Sequence, residues 1–230
     1  MSDPRAAAVL RKDGVYDVLG TAPAQAAVPA TPTADFTSYS AMSAAIHGKR
    51  LPVGTRAVLY DPEHWAYTPL VEQRNVFAYE RMAATLAHQH GLRLILSPAL
   101  DLVAVSSPPV MGPFWQQFLR LHLAGQAAAA GADVVVVQAQ SLEDFPATYA
   151  AFVSQASAQV KAVNRGVVIL AGLSTGPTGV QVGPRTIPAA ERAVAGAPVS
   201  GFWLNVPGES AKCSECTVAP QSYAVGALVG

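Results

Sequence analysis

Three features of this sequence predict an α/β fold, a TIM-like (β/α) barrel of reduced or irregular form. Short apolar runs alternate with longer helical stretches, the pattern of repeated βα units. Several runs are continuously apolar, Val134 to Val137 and Val167 to Leu170 among them, as expected of parallel strands covered on both faces. Long Gly- and Pro-rich loops follow the runs, while the connections before them are short. That asymmetry marks a barrel whose site lies at the strand C-terminal ends.

The first run, Val15 to Gly20, opens into Ala22 to Thr33, which is rich in Ala, Pro and Thr and reads as a loop rather than a linker between domains. A short helix over Phe36 to His47 follows, then a second strand, Arg56 to Tyr60. Pro69 to His90 reads as one helix, with Thr68 and Glu72 as a capping pair around Pro69 and Gly91 as the stop. The third strand, Leu92 to Ser97, leads through Ser106 to Pro113 into a helix over Pro113 to Ala130 that ends at Gly131. Asp133 to Gln140 is the fourth strand, and Phe145 to Asn164 is a helix bounded by Asp144 and Gly166. Val167 to Gly172, the loop Ser174 to Pro184, a short helix over Pro188 to Val194 and a last strand, Gly201 to Asn205, complete the pattern.

These six strands are fewer than the eight of a complete barrel. Two strands are too irregular to read, or the barrel is reduced, or the sheet is open and doubly wound. The dinucleotide and phosphate-loop glycine fingerprints are both absent, which disfavours a nucleotide-binding open sheet.

With 230 residues, 51% of them hydrophobic, the chain suits one sizeable core, so residues 1–230 are read as a single barrel-like domain. Fifteen basic and fifteen acidic residues balance, leaving no electrostatic footprint for nucleic acid or an anionic membrane. No run of about 20 apolar residues occurs, and the start lacks the basic-then-apolar pattern of a secretory signal. A cytoplasmic location is the expectation, with a trimmed secreted form as the alternative. Cys213 and Cys216, in Cys-Ser-Glu-Cys, are too few for a structural zinc site and read as a loop feature, either a local disulfide or two thiols.

The segment that points most directly to chemistry is Tyr60-Asp61-Pro62-Glu63-His64-Trp65, just after an apolar run. Strand alternation would project Asp61 and Glu63 to the same side, and two neighbouring carboxyls resist joint ionisation, which keeps one protonated as a general acid. The competing reading has Asp61 capping a turn and Glu63 solvated. Gln138 and Gln140 share one face at the end of the fourth run, where buried amides need a ligand or an internal network. Trp203 and Asn205 share a face of the last strand, an indole beside an amide suited to a sugar ring or another flat apolar face; a core tryptophan is the alternative. Asp101 follows the third strand as a further candidate, or as a turn aspartate.

His88 and His90 are two apart on a helix and cannot bind a metal jointly. His64 has no second strand-borne histidine to complete a site with Asp61 and Glu63, so no metal and no cofactor are expected. No Gly-x-Ser-x-Gly elbow is present, which weakens acyl-transfer chemistry.

Tyr60-Asp61-Pro62-Glu63, together with Trp203, resembles the (β/α)8-barrel glycoside hydrolases, most nearly the chitinase-like family with its Asp-x-Glu at a strand end. The resemblance implies that Glu63 is the acid, Asp61 its partner and Trp203 the floor of a sugar subsite, with Tyr60 beside them. The leading expectation is an enzyme acting on a carbohydrate or polyhydroxylated small molecule by carboxylate acid/base catalysis. Two others stand beside it: a lyase, isomerase or cyclase of specialised metabolism using the same groups, and a non-catalytic barrel binding small molecules or carbohydrates. The partner expected in each case is a small-molecule or carbohydrate ligand, with neither nucleic acid nor membrane; the sequence leaves the oligomeric state open.

Overall fold

Seven strands lie side by side in chain order, every neighbouring pair parallel, in the computed structural model, which describes residues 14–18, 29–106 and 111–207. They are β1 (Tyr16–Val18), β2 (Thr31–Phe36), β3 (Ala57–Tyr60), β4 (Arg93–Leu96), β5 (Val134–Val137), β6 (Val168–Ser174) and β7 (Gly201–Asn205). A sheet wound in one direction carries its crossover helices on one face. The order therefore rules out the doubly wound sheet and leaves a curled half-barrel whose end strands, β1 and β7, do not pair with each other.

The strand β2 fills a stretch that the sequence reading divides between a loop and a helix. Thr31-Pro32-Thr33-Ala34-Asp35-Phe36 has no apolar run, and Pro32 argues against a strand. Pro32 is tolerated because it precedes the first β2–β3 register pair, Thr33 with Ala57.

Two apolar clusters separate the faces. Val58, Tyr60, Leu94, Leu96, Val135, Val137, Ile169, Ala171 and Leu173 pack outward against the helices. Ala57, Leu59, Ile95, Val134 and Val136 form the inner cluster, against which Tyr16, Val168, Leu170 and Trp203 pack. The curl is visible in side chains that cross the interior: Arg93 on β4 donates to the Tyr16 hydroxyl on β1 at 2.9 Å. Because both faces are covered, these strands read as unbroken apolar runs.

The helices are α1 (Tyr39–His47), α2 (Leu70–Arg74), α3 (Val76–Gln89), α4 (Phe114–Arg120), α5 (Leu123–Ala130), α6 (Pro146–Val163) and α7 (Thr186–Ala193). In α6, Pro146 stands in the first turn, and Tyr149, Phe152, Val153, Ala156 and Val160 are buried, a spacing that puts one stripe on the sheet. Two helices expected as continuous are broken. The stretch after Pro69 splits at Asn75, and the stretch after Pro113 splits at His122, which adopts a left-handed φ of 54°.

The capping pair proposed around Pro69 does not form. Glu72 is 2% exposed and instead holds the start of α1: Oε2 accepts the Tyr39 N–H at 2.6 Å and Oε1 the Ser40 N–H at 3.3 Å. Cys213 and Cys216 lie outside the described residues. No helix among those described is long and apolar enough to cross a membrane.

Candidate functional site

The inner face of the sheet changes character along its length. Its middle, Ala57, Leu59, Ile95, Val134 and Val136, is apolar, with Thr31 and Thr33 on β2 and Arg93 on β4 as polar exceptions toward the N-terminal ends; at the C-terminal ends the residues of the same parity are Asp35 on β2, Asp61 just past β3, Ser97 just past β4 and Gln138 just past β5. This parity follows from the period-2 pleat: Asp35 pairs with Leu59 of the inner cluster, and Asp61 is two residues beyond Leu59. Asp35 and Asp61 are thus diagonal neighbours at the mouth, roughly 8 Å apart between Cα atoms for ordinary strand spacings.

Hydrogen bonds tie this row together. Gln138 Nε2 donates to Asp61 Oδ1 at 2.6 Å and to Ser97 at its carbonyl, 2.9 Å, and its hydroxyl oxygen, 3.0 Å. Gln140 Nε2 donates in turn to Gln138 Oε1 at 3.2 Å. The Gln140 amide lies against bare backbone at Gly172, where an added Cβ would stand 2.6 Å from Oε1 and 2.9 Å from the Val137 carbonyl. Across the β6–β7 register Gly172 faces Trp203, and Ser174 faces Asn205. Asp61, Gln138, Gln140 and Trp203, four residues singled out in the sequence, therefore form one continuous row from β3 to β7.

The remaining candidates are placed differently. Tyr60 is fully buried on the opposite, helix-facing side, where its hydroxyl donates to Glu72 Oε2 at 3.0 Å. Burial and the nearby Glu72 carboxylate raise its pKa, so it stays a neutral phenol. Grouping Tyr60 with the mouth is corrected by its parity, since Ala57, Leu59 and Asp61 point inward and Val58 and Tyr60 outward. Asp101 is a loop brace whose Oδ1 accepts the His64 backbone N–H at 3.0 Å. Asn205 is exposed at the end of β7, and its carbonyl accepts the Thr175 N–H at 3.0 Å. Glu63 is half-buried with its N–H on Thr68 Oγ1 at 3.1 Å. The ladder runs past Tyr60 only through the Asp61 N–H, bonded to the Phe36 carbonyl at 2.9 Å, so strand alternation does not extend to Glu63.

Asp35 and Ser97 are the residues that sequence reasoning missed. The alternating polar positions Thr31, Thr33 and Asp35 were the available signal, hidden by the absence of an apolar run. Behind the mouth, Glu143 is 1% exposed; its Oε2 accepts the Ser174 N–H at 3.0 Å, while among the described residues its Oε1 has no partner. Desolvation, opposed by the Ser174 N–H, pushes its pKa up to about 8. In α3 Glu80 is 1% exposed, neither carboxyl oxygen has a hydrogen-bond partner among the described residues, and burial raises its pKa well above the usual carboxylate range.

His88 lies at the other end of the sheet, bonded to Asp133 at 3.0 Å. Among the described residues no three His, Cys, Asp or Glu side chains gather as metal ligands.

A polar mouth on a curled parallel sheet, with two carboxylates and an amide row, defines this molecule as a (β/α) half-barrel with a candidate small-molecule site at its C-terminal end. The chain matches no protein-family model and no curated protein sequence.

Proposed function

We propose that this protein is an enzyme that acts on a carbohydrate or similarly polyhydroxylated small molecule by acid/base catalysis between carboxylates at the mouth of the half-barrel. The observation that carries this reading is the switch of the inner face from Leu59, Ile95 and Val134 to Asp35, Asp61, Ser97 and Gln138. Polar groups gathered at one end of an apolar interior are costly unless they serve a ligand or each other. Gln138 serves Asp61, fixing the carboxylate that faces the opening.

Asp61 and Asp35 divide the acid and base roles, an arrangement that suits cleavage of an acetal bond between two carboxyls roughly 5 to 9.5 Å apart. Glu63, two residues beyond Asp61, is the alternative acid. Trp203 offers an indole flank, and Gln140 and Asn205 offer amides to hydroxyls.

The test is release of reducing ends from a panel of aryl glycosides and soluble polysaccharides. Asp61→Asn and Asp35→Asn are each expected to lower kcat/KM by about 100-fold or more with the fold retained. Full turnover in the Asp61→Asn protein would discard the mechanism. A comparable loss in Glu63→Gln, with Asp35→Asn fully active, would transfer the acid role to Glu63.

A further inference from the structure

The loop after β3 carries two aromatic rings that the row across the mouth does not use. Trp65 is half-buried and Tyr67 is 46% exposed, and their rings meet edge to face with centroids 5.1 Å apart at 76°. A surface aromatic pair on a mobile loop would be unremarked. This loop, however, is fastened at every turn.

Thr68, 1% exposed, is its hub: Oγ1 accepts the Trp65 indole N–H at 3.1 Å and the Glu63 N–H at 3.1 Å, and donates to the Thr37 carbonyl at 2.8 Å. The amide of Gln73 donates to the carbonyls of Trp65, 2.9 Å, and Thr68, 2.7 Å. Asp101 accepts the His64 N–H, and the Ala99 N–H bonds the Pro62 carbonyl at 3.2 Å, joining this loop to the one after β4. The indole is thus held in one orientation by its own N–H, with its neighbouring ring exposed, four residues after Asp61.

Rigid aromatic rings bind with little loss of conformational freedom, and a ring already held in its bound orientation avoids the cost of ordering it. The electron-rich face of an aromatic ring attracts the C–H face of a saturated ring, whose hydroxyls project around its edge.

We propose that Trp65 and Tyr67 form a preorganised aromatic subsite that takes the C–H face of a sugar ring beside Asp61. The inference rests on the carbohydrate reading above and adds to it a polymeric or oligomeric substrate, since a ring held here is additional to one seated at Asp61 and Trp203. Asp61 acts on the bond, while the aromatic pair binds a neighbouring unit and is therefore a positioning element.

The test is affinity electrophoresis in native gels containing the soluble polysaccharides of the panel, with steady-state kinetics on the one that is cleaved. Asp61→Asn should still be retarded. Tyr67→Ala, which removes an exposed ring and leaves in place the side chains of Thr68, Gln73 and Asp101 that bond the loop, should raise the dissociation constant about fivefold to tenfold. It should raise KM similarly on the polymer, leave kcat within about threefold, and leave KM on a single-ring aryl glycoside unchanged. Trp65→Phe keeps a ring and should lose less than Trp65→Ala. Retardation by none of the polysaccharides, or equal retardation of wild type and Tyr67→Ala, would overturn the subsite. Turnover that depends on Asp61 but not on Tyr67 would sink this inference alone, whereas turnover independent of Asp61 would sink the catalytic reading.

Discussion

The amide of Gln138 has two N–H bonds, and both are engaged, one by Asp61 and one by Ser97; its oxygen takes the N–H of Gln140. It is therefore an internal brace for the carboxylate, not a reader of ligand hydroxyls. The chain of amides runs outward from Asp61, so each amide's orientation is set by the one before it, and the last stacks on Gly172. A methyl group at Gly172 would meet the Gln140 oxygen and, at 2.9 Å, the Val137 backbone carbonyl, which cannot rotate away. Gly172→Ala is expected to destabilise the protein by about 1 to 3 kcal/mol in denaturant unfolding. Unchanged stability would mean that the amide row packs more loosely than described. At this scale the sequence shows which polar residues end apolar runs, Asp61, Gln138 and Gln140 among them, and the fold joins these three by hydrogen bonds. Tyr60 was misassigned because adjacency in sequence outweighed parity. Asp35 is not legible in the sequence because its strand carries Thr and Pro in place of an apolar run.

Single elements explain where sequence reading stopped short. The helices that follow Pro69 and Pro113 break at Asn75 and His122, neither a glycine nor a proline, so no local signal marked the breaks. Helix α6 was legible to within a residue or two because Pro146 and a regular apolar stripe specify it. Beyond β5 the chain turns through Gln140–Leu142 and sets the Glu143 carboxyl over the Ser174 N–H, where β6 extends past its neighbour. A carboxyl with a pKa near 8 in the folded state and an ordinary one of 4.5 when unfolded binds more protons folded than unfolded between those values. Stability should accordingly be highest below about pH 4.5 as far as this group is concerned, and should fall as pH rises toward 8, by at most about 1.4 kcal/mol per pH unit. Buried Glu80 acts in the same direction. Glu143→Gln keeps an acceptor for Ser174 and should flatten the pH dependence of Tm across that window. A slope unchanged by the substitution would assign it to other groups.

The whole molecule is a sheet wound in one direction, and that much was carried by the βα alternation and the unbroken apolar runs. Closure was not legible, because no residue pattern states how far a parallel sheet curls. The curl brings side chains together inside it, Tyr16 with Arg93 and Trp203 with the inner cluster. The carboxylates and amides of the inner face gather at the strand C-terminal ends, beyond an apolar middle. A concavity lies on the helical side, lined by Tyr39, His47, Glu72 and Tyr79. The most direct test of the account is a crystal structure of the Asp61→Asn protein with the substrate that wild type cleaves. Substrate lying across the mouth, within hydrogen-bonding distance of position 61 and close to Asp35, is the predicted result. Substrate seated in the helical groove, with the mouth containing none, would contradict it.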